Sequence, residues 1–209
     1  MAKPHGSVLE DYRAKRSFRR TPEPRGRKTH ARAKPIFVVQ KHDASTLHYD
    51  FRIEADGILK SWAIPKGPSM NPRDKRLAVP TEDHPLTYAA FEGVIPDGQY
   101  GAGTVMVWDT GIVENIKKDD LGGEIPLAAQ IENGHATFLL DGMKLKGAFA
   151  LIRSGKGGQQ RWFLIKMVDD EADPGYDPVT SEPDSAITNR SLDEISRGKA
   201  ITKVPKRLS

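Results

Sequence analysis

Residues 46–54 read Thr46-Leu47-His48-Tyr49-Asp50-Phe51-Arg52-Ile53-Glu54. Side chains alternate between the two faces of a β-strand. Leu47, Tyr49, Phe51 and Ile53 therefore share one face, which is the apolar face of a strand lying on a core. His48, Asp50 and Arg52 share the other, with successive members about 7 Å apart. A face that merely meets water is usually built from Lys, Glu, Thr and Ser. An imidazole, a carboxylate and a guanidinium in one row instead combine metal-binding atoms with a fork that fits phosphate.

Similar short segments flank this one. Ile36–Gln40, Ile58–Ile64, Arg76–Thr81, Thr104–Val113, His135–Leu140, Lys144–Arg153 and Arg161–Lys166 carry strand-forming residues between turn formers. Asp56-Gly57 and Asp141-Gly142 are residue pairs that favour tight hairpin turns. About eight strands joined by short turns, with little helix, predict an all-β, mainly antiparallel fold closed into a compact barrel with short helices. A short helix is expected over Val8–Arg16, a helical turn within 124–132, and a capped helix over Leu192–Arg197, opened by Ser191 with Glu194 three residues on. The expected organisation is a basic, partly ordered arm over 1–34, a barrel over 35–170, and a loosely ordered tail over 171–209.

The 209 residues contain no cysteine, which excludes disulfides, thiolate metal sites and a cysteine nucleophile. No apolar run approaches the ~20 residues of a membrane span, and the basic N-terminus lacks a signal peptide's apolar stretch. A cytoplasmic protein without membrane association is expected. The net charge is +4, yet residues 1–35 hold 11 Lys and Arg against 3 acids, a local +8 that leaves −4 on the rest. A basic arm on a mildly acidic body suits a polyanion such as nucleic acid.

The histidines His42, His48 and His84 fall at strand ends or on the polar strand face. Two imidazoles and one carboxylate make a three-point site for Mn²⁺, Zn²⁺, Fe²⁺ or Co²⁺, with positions left for water and substrate. Spacing does not choose which histidine pair binds. His42 falls in the turn after Ile36–Gln40, and Glu82-Asp83-His84-Pro85 ends another strand. Lys60, Lys66, Arg73, Lys75 and Arg76 supply positive charge nearby. The Gly-rich stretch Phe91–Gly103 is neither a P-loop nor a dinucleotide fingerprint, because no Gly-Lys-Ser/Thr follows and a strand, not a helix, comes next. It reads as a shaped loop lining a cleft.

The runs Phe37–Ser45, Leu47–Arg52, Lys60–Pro68, Glu82–Pro85, Phe91–Ile95 and Gly98–Gly103 resemble the 3′-phosphoesterase module of bacterial DNA ligase D. So do Tyr12–Arg16 and Thr21–Pro24 upstream and Trp162–Lys166 downstream, so the likeness covers residues 9–170. The resemblance implies a β-barrel with a crescent-shaped site and Mn²⁺-dependent repair of 3′ ends in non-homologous end joining. The implied chemistry removes a 3′-terminal ribonucleoside, then the remaining 3′-phosphate, to leave a 3′-OH. It assigns His42, Asp50 and His84 as metal ligands, with Co²⁺ or Zn²⁺ as alternatives to Mn²⁺. It assigns His48, Arg52 and Tyr88 to phosphate contact and catalysis, Lys66, Arg76 and Glu82 to further functional positions, and Arg16 and Glu23 to the phosphatase step. Ser17 stands where the family often has Asp, which bears on that second step. The implied substrates are DNA primer-template 3′ ends, with ligase and polymerase encoded separately. The competing expectations are a non-catalytic DNA-end binding module with a structural metal, and an RNA-directed phosphoesterase.

Overall fold

A computed structural model describes residues 9–155 and 160–202. Val8, the start of the expected first helix, lies outside the described residues, as do the basic residues Lys3, Lys203, Lys206 and Arg207. The strands are β1 (Ile36–Asp43), β2 (Leu47–Ala55), β3 (Ile58–Ile64), β4 (Arg76–Pro80), β5 (Gly93–Ile95), β6 (Gly103–Asn115), β7 (His135–Gly142), β8 (Lys146–Ser154) and β9 (Arg161–Lys166). All pair antiparallel in the order β1-β2-β3-β4-β9-β8-β7-β6, and β6 returns to β1, so eight strands close a barrel while β5 adds to one end of β6. The short helices are α1 (Glu10–Ala14), a 3₁₀ helix at Leu86–Ala90, α2 (Leu127–Glu132), α3 (Pro178–Ser181) and α4 (Leu192–Arg197). Among the described residues, no helix is long and apolar enough to cross a membrane.

The period-2 reading of residues 46–54 holds for the apolar face. Tyr49, Phe51 and Ile53 are buried with Phe37, Val39, Trp62, Trp108 and Phe138 in the cluster that fills the barrel, while Leu47, at the strand's start, is exposed. The opposite face is also buried. Tyr12 from α1, Tyr88 and Ala89 from the 3₁₀ helix, and Ile95 of β5 pack on Ile36, Val38, Val105 and Val107 in a second core outside the barrel wall. Asp50 and Arg52 lie beneath this second layer, 7% and 3% exposed. The N-terminal arm is thus part of the packing: Tyr12 is fully buried, and its phenol donates to the Pro24 carbonyl at 2.5 Å.

The two Asp-Gly pairs behave differently. Asp56 and Gly57 both take positive φ (52° and 75°) and make the β2–β3 hairpin turn. Asp141-Gly142 instead continues β7, and the turn falls at residues 143–145, where the Asp109 carboxylate accepts the N–H groups of Met143, Lys144 and Leu145. A Cβ at Gly142 would meet Phe37 and Asp109 at 2.6 Å, so the glycine there serves close packing.

Residues 185–195 are bonded to and packed on the barrel. Between its contacts with β5 and β7, β6 presents an edge at Val107. The Ala186 N–H donates to the Val107 carbonyl, and Glu92 accepts the Val107 N–H at 3.1 Å. Glu92, fully buried, also accepts from Ser185, from Thr188 at 2.8 Å and from Arg190 at 3.1 Å. Ser191 and Glu194 form the expected capping box of α4, whose Ile195 is buried in the barrel core. The tail thus completes the barrel wall where strand pairing lapses. Replacing Glu92 with alanine leaves two buried donors, Val107 N–H and the Ser185 hydroxyl, and the half-buried Thr188 hydroxyl and Arg190 guanidinium without their acceptor. The expected cost is about 3–5 kcal/mol, read by denaturant unfolding, with hydrogen exchange at 185–190 rising first.

Candidate active site

Only three residues, Ala44, Ser45 and Thr46, separate β1 from β2. The strands therefore run almost to the hairpin tip, and His42 lies on β1 rather than in a turn. Register pairs His42 directly with His48 and Gln40 with Asp50. Cross-strand partners share a face at close range: the two imidazole centroids are 4.8 Å apart. One ligand atom from each of His42, His48 and Asp50 falls within 4.8 Å of the others.

The hydrogen bonds orient these rings. His48 Nδ1 lies 2.8 Å from the Thr46 carbonyl, and His42 Nε2 lies 3.0 Å from the Gly101 carbonyl. A carbonyl only accepts, so those nitrogens carry the protons in the neutral rings. The lone pairs are then on His48 Nε2, 3.8 Å from Asp50 Oδ1, and on His42 Nδ1, 3.7 Å from Asp50 Oδ2. Burial favours the neutral Asp50 carboxyl, but the Arg52 guanidinium beside it outweighs this and holds its pKa well below the usual range. Two lone pairs facing a carboxylate repel unless a cation lies between them.

Beside this group Arg52 is fixed on three sides. Its Nε donates to Gln40 Oε1 at 2.8 Å, one terminal nitrogen to Asp50 at 2.9 Å, and the other lies 3.0 Å from His84 Nδ1. Gln40 is held in turn by donating to the carbonyls of Tyr88 and Phe91. His84 Nδ1 also lies 2.8 Å from the Glu82 carbonyl, and its Nε2 is 3.4 Å from Arg16. Burial, then Arg52 and Arg16, push the His84 pKa well down, so the ring is neutral between two guanidiniums.

The expected ligand trio of His42, Asp50 and His84 is therefore not the trio that the fold gathers. Among the described residues, His48 joins the compact group and His84 stands apart with the cations. The reason is electrostatic as well as geometric: flanking guanidiniums repel a metal ion, whereas a carboxylate attracts one.

The arm completes the cleft. Arg16 donates to Glu23 at 2.8 Å and to Glu82 at 2.7 Å, and Lys15 reaches Glu82 at 2.5 Å. Tyr88 donates its phenol to Glu23 at 3.1 Å, and burial followed by Glu23 pushes its pKa well above the ordinary value. Arg16, Glu82 and Tyr88 line a cleft of about 280 Å³ with His42, His48, Asp50, Arg52 and His84, and Glu23 buttresses it from behind. A larger cavity, about 980 Å³ near Arg32 and Lys146, contains no imidazole. Lys66 and Arg76 do not enter the histidine cleft. They line a separate one with Arg73 and Lys75, where Arg76 pairs with Asp74 at 2.9 Å.

Sequence reasoning missed Gln40 and Tyr100. Gln40 carried a signal, because an amide within the apolar run Ile36-Phe37-Val38-Val39 must find partners if the strand is buried. Tyr100 carried none beyond its place in the Gly-rich loop.

The chain matches the family described as the DNA Ligase D 3′-phosphoesterase domain over residues 40–153. It is 50% identical over 194 residues to the "Multifunctional non-homologous end joining protein LigD" of Pseudomonas aeruginosa, covering 90% of this chain and 22% of that protein. It is 42% identical over 170 residues to the "Multifunctional non-homologous end joining DNA repair protein LigD" of Mycobacterium tuberculosis, covering 78% of this chain and 20% of that protein. The chain thus spans about a fifth of the length of these relatives.

Proposed function

This chain belongs to the DNA ligase D 3′-phosphoesterase family, and from its cleft we propose a divalent-metal-dependent hydrolase that trims DNA 3′ ends during non-homologous end joining. It releases a 3′-terminal ribonucleoside and then the 3′-phosphate, leaving a 3′-OH for a ligase and a polymerase. The observation that carries this reading is the placement of two oriented imidazole lone pairs and the Asp50 carboxylate beside a guanidinium-lined pocket.

The donor set fits Mn²⁺ or a similar borderline ion, with His42, His48 and Asp50 as its ligands. Each histidine presents its other nitrogen to a backbone carbonyl, the support that metal-bound imidazoles usually have. When bound, such an ion acts as a Lewis acid toward phosphoryl oxygen or water.

The remaining groups act on the phosphate. Arg52, immobilised by Gln40 and Asp50, presents its remaining N–H groups to oxygens on which charge develops, with no reorganisation needed at the moment of reaction. His84 is neutral, with Nδ1 between the Arg52 guanidinium and the Glu82 carbonyl and Nε2 beside Arg16, so the ring holds the two guanidiniums in place around the phosphate. Arg16, fixed by Glu23 and Glu82, adds a second guanidinium for the more highly charged 3′-phosphate. Lys66 and Arg76, in their separate basic cleft, contact the polynucleotide away from the scissile phosphate.

The test is a labelled primer-template with one 3′-terminal ribonucleotide, incubated with Mn²⁺ and, in parallel, with chelator. The expected result is Mn²⁺-dependent shortening to a 3′-phosphate end and then a 3′-OH end. Tight binding with no shortening would establish a non-catalytic end-binding module instead, and faster cleavage of an all-RNA primer would redirect the assignment to RNA.

A further inference from the structure

We propose that Tyr100 is the platform on which the departing 3′-terminal nucleoside stacks, and that it favours nucleoside release over phosphate release. This inference rests on the phosphoesterase reading and goes beyond it in assigning a subsite to the leaving group.

The cleft's polar groups account for a phosphate. Arg52, Arg16 and His84 surround the place where charge would sit, and the imidazole–carboxylate group lies alongside. The terminal ribonucleoside is different chemically. It has no phosphate beyond the scissile one, so cations do not distinguish it; its recognisable features are the sugar and the flat face of the base. Bases removed from a stack are commonly held on aromatic side chains.

Two tyrosines line the cleft. Tyr88 is buried, with its phenol bonded to Glu23. Tyr100 is 50% exposed at the cleft's lip, so it is the one able to offer a ring face to a ligand.

Its position is set from both sides. The next residue, Gly101, takes φ of 74° and turns its carbonyl to within 3.0 Å of His42 Nε2, which ties the loop to the metal-binding group. Hydrogen bonds from Gln99 N–H to the Pro96 carbonyl and from Ala102 N–H to the Gln99 carbonyl stiffen the loop on either side. From the arm, Lys15 Nζ lies 4.6 Å from the ring centroid and 3.4 Å from the phenol oxygen, while Glu82 holds the same ammonium. The Arg16 guanidinium carbon also lies 5.7 Å from the ring centroid, so the ring is anchored beside the reacting group by two cations while half of the residue's surface stays open to a ligand. An exposed tyrosine with only a solubilising role would not require a loop bonded to a metal-binding histidine at one end and a cation clamp at the other.

The experiment compares two ends on the same primer-template, one with a 3′-terminal ribonucleoside and one with a 3′-phosphate. For Tyr100→Ala, kcat/KM for ribonucleoside release should fall roughly tenfold more than that for phosphate release, the order of one stacked base. Tyr100→Phe should restore the wild-type ratio, whereas Tyr100→Leu, which retains bulk without a π face, should behave like alanine. A third end, bearing a terminal ribose without its base, gives a cycle: wild type should lose the stacking factor on it, and Tyr100→Ala should lose nothing further. Equal losses on both ends, no loss on either, or a leucine variant as active as phenylalanine would each overturn the proposal. Wild-type protein inactive on both ends would instead overturn the phosphoesterase reading itself.

Discussion

His48→Ala is expected to weaken Mn²⁺ binding by more than roughly a hundredfold, whereas His84→Ala leaves that affinity within a few fold of the parent. The contrast follows from what each ring faces. His48 directs a lone pair at Asp50 from 3.8 Å and is paired across the hairpin with His42. His84 sits between Arg52 and Arg16, whose charges oppose a nearby cation. Losing a second-shell partner costs about 10–100-fold in metal affinity, so losing a ligand should cost more. Titration followed by calorimetry, or by the resonance of free Mn²⁺, reads the affinity without any turnover. Both variants should lose activity, so only the binding measurement separates them. If His84→Ala released the ion while His48→Ala retained it, the trio implied by family resemblance would stand and the grouping seen in the fold would not.

Arg52→Lys should lower kcat by about 10²–10³, the usual effect of removing a preorganised charge-stabilising donor. The substitution keeps one positive charge but cannot serve Gln40, Asp50 and His84 together, because an ammonium is a compact point charge and not a planar fork. A fall in kcat with KM little changed marks an interaction made in the transition state. A rise in KM alone would mean that Arg52 only holds substrate, and the role assigned to it would be withdrawn. Arg52→Met separates folding from chemistry: it strands a buried carboxylate, and about 3–5 kcal/mol of stability should be lost with it.

Some of this was legible before the fold was known. The strand alternation at Tyr49–Ile53, the Asp56-Gly57 turn and the Ser191–Glu194 cap depend on residues a few positions apart, and each appears in the structure as local rules require. Other local signals were overridden. Asp141-Gly142 did not make its turn, because the Asp109 carboxylate, distant in sequence, draws the N–H groups of 143–145 around itself. The tail after residue 170 has a loose, polar composition, yet Glu92 and the β6 edge give it partners that composition does not reveal.

For the site, the sequence by itself supplied the inventory: an imidazole, a carboxylate and a guanidinium on one strand face, further histidines nearby, and no thiol. Which histidines work together was decided by tertiary structure alone. Coordination and repulsion act over a few ångströms, and those distances depend on hairpin register for His42 and His48 and, for His84, on guanidiniums delivered by β2 and by an arm 68 residues upstream. Spacing along the chain does not encode such neighbours, because they arise from packing two layers on either side of one strand.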